Sequence, residues 1–178
     1  MSRLSDAPER CLTIPRRSLV LLIGPSGSGK STFARKHFQP YQAIESDHCR
    51  ALVCDDAADQ SATRAAFDLL HFLAEKRLEF GKLTVIDATN VQAWARKGLL
   101  ALARAHNFSA VAIVFDIGED ATIRHNALRP NRQVAPDVVR RQHQDLRLSK
   151  EELSREGFSR IYVLNSPDEI DATRVVIE

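Results

Sequence analysis

Short continuous apolar runs alternate along the chain with longer stretches in which apolar residues recur at helical spacing. "SLVLLIG" (18–24) is an unbroken apolar run ending in glycine, the pattern of a central strand covered on both faces. "KSTFARKHF" follows with helical character until Pro40 stops it. "QAIES" supplies a second short strand, with Asp47 at or just after its end. Between 62 and 80, apolar residues recur at 62, 65, 66, 69, 70 and 73, a helical stripe that Gly81 closes. "KLTVID" (82–87) reads as another buried strand, then a helix over 93–105 and the strand "SAVAIVFD" (109–116). A mixed helical stretch is broken by "RPNRQVAP" (129–136), and a charged helix runs from about 137 to 155. "RIYVLN" (160–165) is the last strong strand, and "TRVVIE" reads as a short edge strand.

Strand and helix alternate throughout, which predicts an α/β fold: a mostly parallel central sheet with helices on both faces. There is no repeat, low-complexity stretch or linker, so 1–178 is expected to be a single domain with residues 1–12 poorly ordered. The arginine- and proline-bearing segment at 129–136 predicts a mobile surface piece rather than a boundary.

Composition narrows this picture only slightly. Hydrophobic content of 44%, charged content of 27% and a net charge of +2 are ordinary for a soluble globular protein. No apolar run reaches membrane-span length, and the N-terminus lacks the apolar core of a signal peptide. Three cysteines make no disulfide framework, so the expectation is a cytoplasmic protein with no membrane partner. His48, Cys49 and Cys54 lie close together, but not at zinc-ligand spacing, and they read as small buried residues.

The chemistry starts at "GPSGSGKST", Gly24 to Thr32, which fits G-x-x-x-x-G-K-[ST] at every fixed position and lies between a strand and a helix. Glycines at 24, 27 and 29 let backbone N–H groups, including those around Ser28, turn inward on a phosphate chain. The helix N-terminus adds positive charge at the same spot. Lys30 is expected at the β- and γ-phosphates, the Ser31 hydroxyl on Mg²⁺ or Mn²⁺, and Thr32 at the α-phosphate. The implied donor is ATP or another nucleoside triphosphate. No guanine-reading "NKxD" is present, and the length leaves little space for a motor domain; a small kinase is the natural remainder.

Three further clusters fit a kinase. In "ESDHCR", Asp47 and Arg50 stand at i,i+3, on one face if a helix starts there. A carboxylate at a strand's carboxyl edge is positioned to accept a proton from an attacking hydroxyl, and Arg50 keeps it ionised or binds a phosphate of the acceptor. In "VIDATN", Asp87 ends a strand where an acid orients Mg²⁺ or its water shell, while Asn90 reads as a helix cap. Between 122 and 147, six arginines (124, 129, 132, 140, 141, 147) face two aspartates, which predicts a lid over the triphosphate. Arg129 and Arg132 are best placed to clamp phosphate oxygens; Arg140, Arg141 and Arg147 read as a solvated helix face.

Together "GPSGSGKST", "ESDHCR", "VIDATN", "RPNRQV" and the closing "REGFSRIYVLNSPDE" resemble the kinase domain of the bacterial RNA end-healing polynucleotide kinase-phosphatase family, from about residue 13 onward. The resemblance implies a P-loop kinase fold with an arginine-containing lid. It implies transfer of a nucleoside triphosphate's γ-phosphate to the 5′-OH end of RNA or DNA. It makes Lys30 and Ser31 the triphosphate and metal ligands, Asp47 the general base and Arg50 its partner and an acceptor-phosphate contact. Gln60 resembles a glutamine that touches the acceptor strand, and Arg129 and Arg132 match lid arginines. The family pattern has a further lid arginine where this chain has His125, beside Arg124. Phosphatase and ligase modules often follow such kinases, so the chain is either an excised domain or a stand-alone form. With 6% aromatics, bases find few stacking partners; Phe67 and Phe72 fall on the long helix, and Trp94 reads as packing. A small-alcohol kinase and a non-catalytic nucleotide-dependent binding module remain the alternatives.

Overall fold

The computed structural model describes residues 10–129 and 133–178. β2 (Ser18–Ile23) forms the centre of a five-stranded, wholly parallel sheet. Its neighbours are β4 (Thr84–Asp87) and β5 (Ser109–Phe115), with β3 (Ala43–Glu45) and β6 (Arg160–Leu164) at the edges. Every residue of β2 is buried, as its unbroken apolar run requires of a strand covered on both faces.

Strand alternation divides the core into two layers. Leu19, Leu21 and Ile23 face α3 (Thr63–Glu79) and α4 (Ala93–Ala105), through residues such as Leu70 and Leu99. Val20 and Leu22 face the opposite side, where α1 (Lys30–His37) contributes Phe33 and Ala34. α2 (Ser46–Cys54) and α6 (Pro136–Lys150) add Cys49 and Leu146 to the first layer, the short α7 (Pro167–Ala172) adds Ile170 to the second, and α5 (Glu119–Ala127) precedes α6. No helix among the described residues is long and apolar enough to cross a membrane.

Two expectations need correction. Residues 10–12 do not lie outside the ordered chain: β1 (Cys11–Ile14) pairs in parallel with β7 (Arg174–Ile177), and Leu12 and Ile14 are fully buried in the second layer. β7 is accordingly no edge of the main sheet but half of a separate two-stranded one. The second concerns Trp94, which is not packed inside: it is 75% exposed at the start of α4.

A buried arginine ties the sheet's carboxyl edge to the C-terminal half. Arg96, fully buried, makes a two-point ion pair with Glu156 and donates to the Asn90 carbonyl at 2.7 Å. Ser149 of α6 donates in turn to the Val91 carbonyl. The loop between β4 and α4 is thereby held against α6.

Candidate active site

The strand order puts β2 between β4 and β5, and a crevice opens at the carboxyl ends of these strands. A cleft of about 680 Å³ occupies it, lined by the loop 24–32, the start of α2, the end of β4 and the end of α5. Gly27 and Gly29 adopt φ values of +86° and +95°, a left-handed backbone that glycine reaches without strain. A Cβ on Gly27 would lie 2.4 Å from the Thr122 carbonyl oxygen, so α5 packs directly on the loop. Gly29 caps α1, whose own first turn carries no acidic residue.

Lys30, 7% exposed, turns its ammonium back onto the loop and donates to the carbonyls of Gly24 and Pro25, both at 2.7 Å. Burial lowers its pKa to about 8, with Arg129 pushing the same way and Asp87 and Asp47 opposing. Gly27, Gly29, Ser31 and Thr32 line the cleft. Ser28 is fully buried, with its hydroxyl turned toward Lys30 at 3.4 Å.

Asp87 ends β4 beside this loop and is 5% exposed. Burial raises its carboxyl pKa, opposed by the Lys30 charge and a hydrogen bond with Ser31. Its Oδ2 has no hydrogen-bond partner. An orphaned buried carboxylate oxygen beside a hydroxyl is a hard oxygen set, and it fits Mg²⁺ or Mn²⁺. Among the described residues no group of three or more His, Cys, Asp or Glu converges as a metal cage. That is the usual situation for Mg²⁺, which is shared between one or two carboxylates and substrate phosphates.

Asp47 lies in the first turn of α2, at the carboxyl end of β3. The helix that "ESDHCR" implies does form. Arg50 Nη1 donates to Asp47 Oδ1 at 2.8 Å and to the Ala57 carbonyl at 2.9 Å. Arg50 is 3% exposed and stands behind Asp47 rather than in the cleft wall. From the other side Arg129 Nη2 approaches Asp47 Oδ2 at 3.6 Å. Arg132 lies outside the described residues.

The remaining expectations divide. His125 lines the cleft, whereas the neighbouring exposed Arg124 does not. Gln60 is not brought to the cleft: it sits exposed on a short helical turn, its Nε2 donating to the Ala58 carbonyl at 3.0 Å. Asn90 does not cap α4, whose cap position is Gln92. Its side chain is buried and donates to the Leu22 carbonyl at 2.9 Å, fastening the β4 end to β2.

Several contributors escaped the sequence reading. Arg35 lines the cleft and pairs with Glu45 at 3.6 Å. It stands one turn after Ser31 on α1, and that i,i+4 spacing puts the two on one helix face. Burial raises the Glu45 pKa, with Asp87 adding repulsion. Gln142 of α6 accepts from the Ser26 N–H at 2.8 Å, and nothing in the local sequence marks that contact. Asn126 pairs with the Val134 backbone through both ends of its amide, and Thr122 hydrogen-bonds His143, so α5 and α6 form one braced wall.

A family model described as an AAA domain matches residues 19–153. No curated protein sequence matches the chain. Among solved structures, a chain of the Pnkp1/Rnl/Hen1 RNA repair complex superposes with a TM-score of 0.66 at 19% identity, over 80% of this chain. This protein spans about half of that chain, 47%. The AvrRxo1-ORF1:-ORF2 complex with ATP gives 0.64 at 13% identity, over 79% of this chain and 50% of that one. A gluconokinase from Sinorhizobium meliloti 1021 gives 0.56 at 14%, over 89% and 90%. The shared feature is a P-loop kinase-like fold.

Proposed function

The chain belongs to the AAA domain family, and from that premise we propose that it is a polynucleotide 5′-hydroxyl kinase acting in the healing of RNA or DNA ends. One juxtaposition carries the reading. Asp47, held by Arg50 and faced by Arg129, opens onto the same cleft as Lys30 and Ser31.

In the proposed reaction the terminal hydroxyl enters beside Asp47, which accepts its proton as the oxygen bonds to the γ-phosphorus. The bond to the bridging oxygen breaks, and its electron pair leaves on the nucleoside diphosphate. Lys30 exchanges its loop carbonyls for phosphate oxygens, while the loop N–H groups and the α1 terminus hold the rest of the chain. Arg129, with Arg132 in the same role, offers paired donors to the transferring group. Arg50 acts through Asp47, fixing its orientation through the Nη1–Oδ1 hydrogen bond. Ser31 and Asp87 would hold Mg²⁺ or Mn²⁺; bound there, the ion neutralises phosphate charge as it shifts. Phosphatase and ligase activities, supplied by other modules, would complete end healing.

The test is incubation with γ-labelled ATP, Mg²⁺ and oligonucleotides ending in 5′-OH. Label is expected on the 5′ end and absent with Asp47→Ala. A second reading, phosphorylation of a small alcohol, is favoured by the gluconokinase likeness, which extends over 90% of that chain. Turnover with small polyols and indifference to oligonucleotides would replace the first reading by the second. If neither class of acceptor were phosphorylated and Asp47→Ala left nucleotide affinity unchanged, the protein would be a nucleotide-dependent binding module.

A further inference from the structure

α4 begins at the same sheet edge as the cleft, and its outer face carries an exposed aromatic side chain beside cations. Trp94 is the only tryptophan in the chain and is 75% exposed. With Lys97, Leu100, Arg104 and Glu156 it lines a second hollow of about 280 Å³. The Glu156 carboxylate is already committed to buried Arg96. Lys97 and Arg104 are exposed, and among the described residues neither pairs with a carboxylate. The hollow therefore presents a free indole face flanked by two uncompensated cations.

We propose that this face of α4 is a docking track for single-stranded nucleic acid: a base stacks on Trp94, and the adjoining phosphodiesters meet Lys97 and Arg104. This pairing of a π-face with cations suits a strand and is indifferent to base identity. An apolar protein partner would leave the two charges buried and unpaired. Position supports the same occupant. Thr89 lines the catalytic cleft, and Trp94 follows it by five residues, a separation of at most about 18 Å even for extended backbone. The inference rests on the polynucleotide reading, for a strand whose 5′ end enters the cleft must leave across a neighbouring surface. It makes the track a determinant of acceptor length: strands too short to reach Trp94 bind through the cleft alone.

Because Trp94 is the sole indole, its fluorescence reports the site directly. The probe is an oligothymidylate of about ten nucleotides carrying a 5′-phosphate, so that it cannot accept a phosphoryl group, added to the full chain without nucleotide. Saturable quenching is expected. By anisotropy of the labelled strand, Trp94→Ala should weaken binding about 5- to 100-fold, while Trp94→Phe retains most of the affinity. Lys97→Ala should lower the salt-dependence slope by about 0.7, one phosphate on a single strand. Unchanged emission at low salt, or equal affinity of Trp94→Ala and wild type, overturns the inference. Quenching without any transfer to 5′-OH strands would refute the kinase reading and leave the track standing; transfer without quenching would do the reverse.

Discussion

Lys30 carries its charge inside the protein at a thermodynamic cost, and that cost can be measured. Burial lowers its pKa from 10.5 to about 8. Between those values the unfolded chain holds a proton that the folded chain has released, so folding stability rises with pH across the window. Below it the ammonium is charged in both states; above it both are neutral, and the contribution is flat on either side. The displacement corresponds to roughly 3 kcal/mol. Lys30→Met removes the titrating group and leaves the other lysines, cysteines and tyrosines in place. Urea unfolding of both proteins at a series of pH values therefore isolates this side chain. The wild-type minus variant free energy should climb by about 3 kcal/mol between the two plateaus. A triphosphate restores the proton, so binding within the window should draw a proton from the buffer, visible by calorimetry in buffers of different ionisation enthalpy. A stability difference that stays level through the window would refute the claim that burial dominates at Lys30.

Asp47→Asn keeps the shape and loses the proton acceptor. Turnover should fall about 100-fold or more while the KM for nucleotide stays within a few-fold; parallel losses in both would count against a base at this position. Gly27→Ala must move α5, since its Cβ would meet the Thr122 carbonyl oxygen at 2.4 Å, whereas at Gly29 the nearest atom lies at 3.9 Å. Both positions have positive φ, so the excess loss of Tm in Gly27→Ala over Gly29→Ala measures the loop–α5 contact. Arg96→Met strands Glu156 and should cost about 3–5 kcal/mol in denaturant unfolding. Adding Glu156→Leu should recover much of that loss, and no recovery would show that packing rather than charge pairing is at stake.

The features legible from residue order alone are local ones. The phosphate loop, the buried run before it, the helical stripe at 62–80 and the pairing of Asp47 with Arg50 each lie within one element or one turn, where spacing alone decides which side chains share a face. The alternation of strands and helices carried the parallel sheet by the same logic. Tertiary structure decided everything that joins distant segments. It brought Arg129 across to Asp47, set Gln142 on the Ser26 amide across 116 positions, paired β1 with β7, turned Asn90 onto β2 and kept Gln60 out of the cleft. It also left Trp94 in solvent and buried Arg96, the reverse of what each residue's polarity suggests. The physical reason is that a side chain's intrinsic preference speaks only for itself. Burying the Arg96 charge depends on a carboxylate sixty positions away, and exposing an indole depends on which helix face the rest of the chain leaves uncovered.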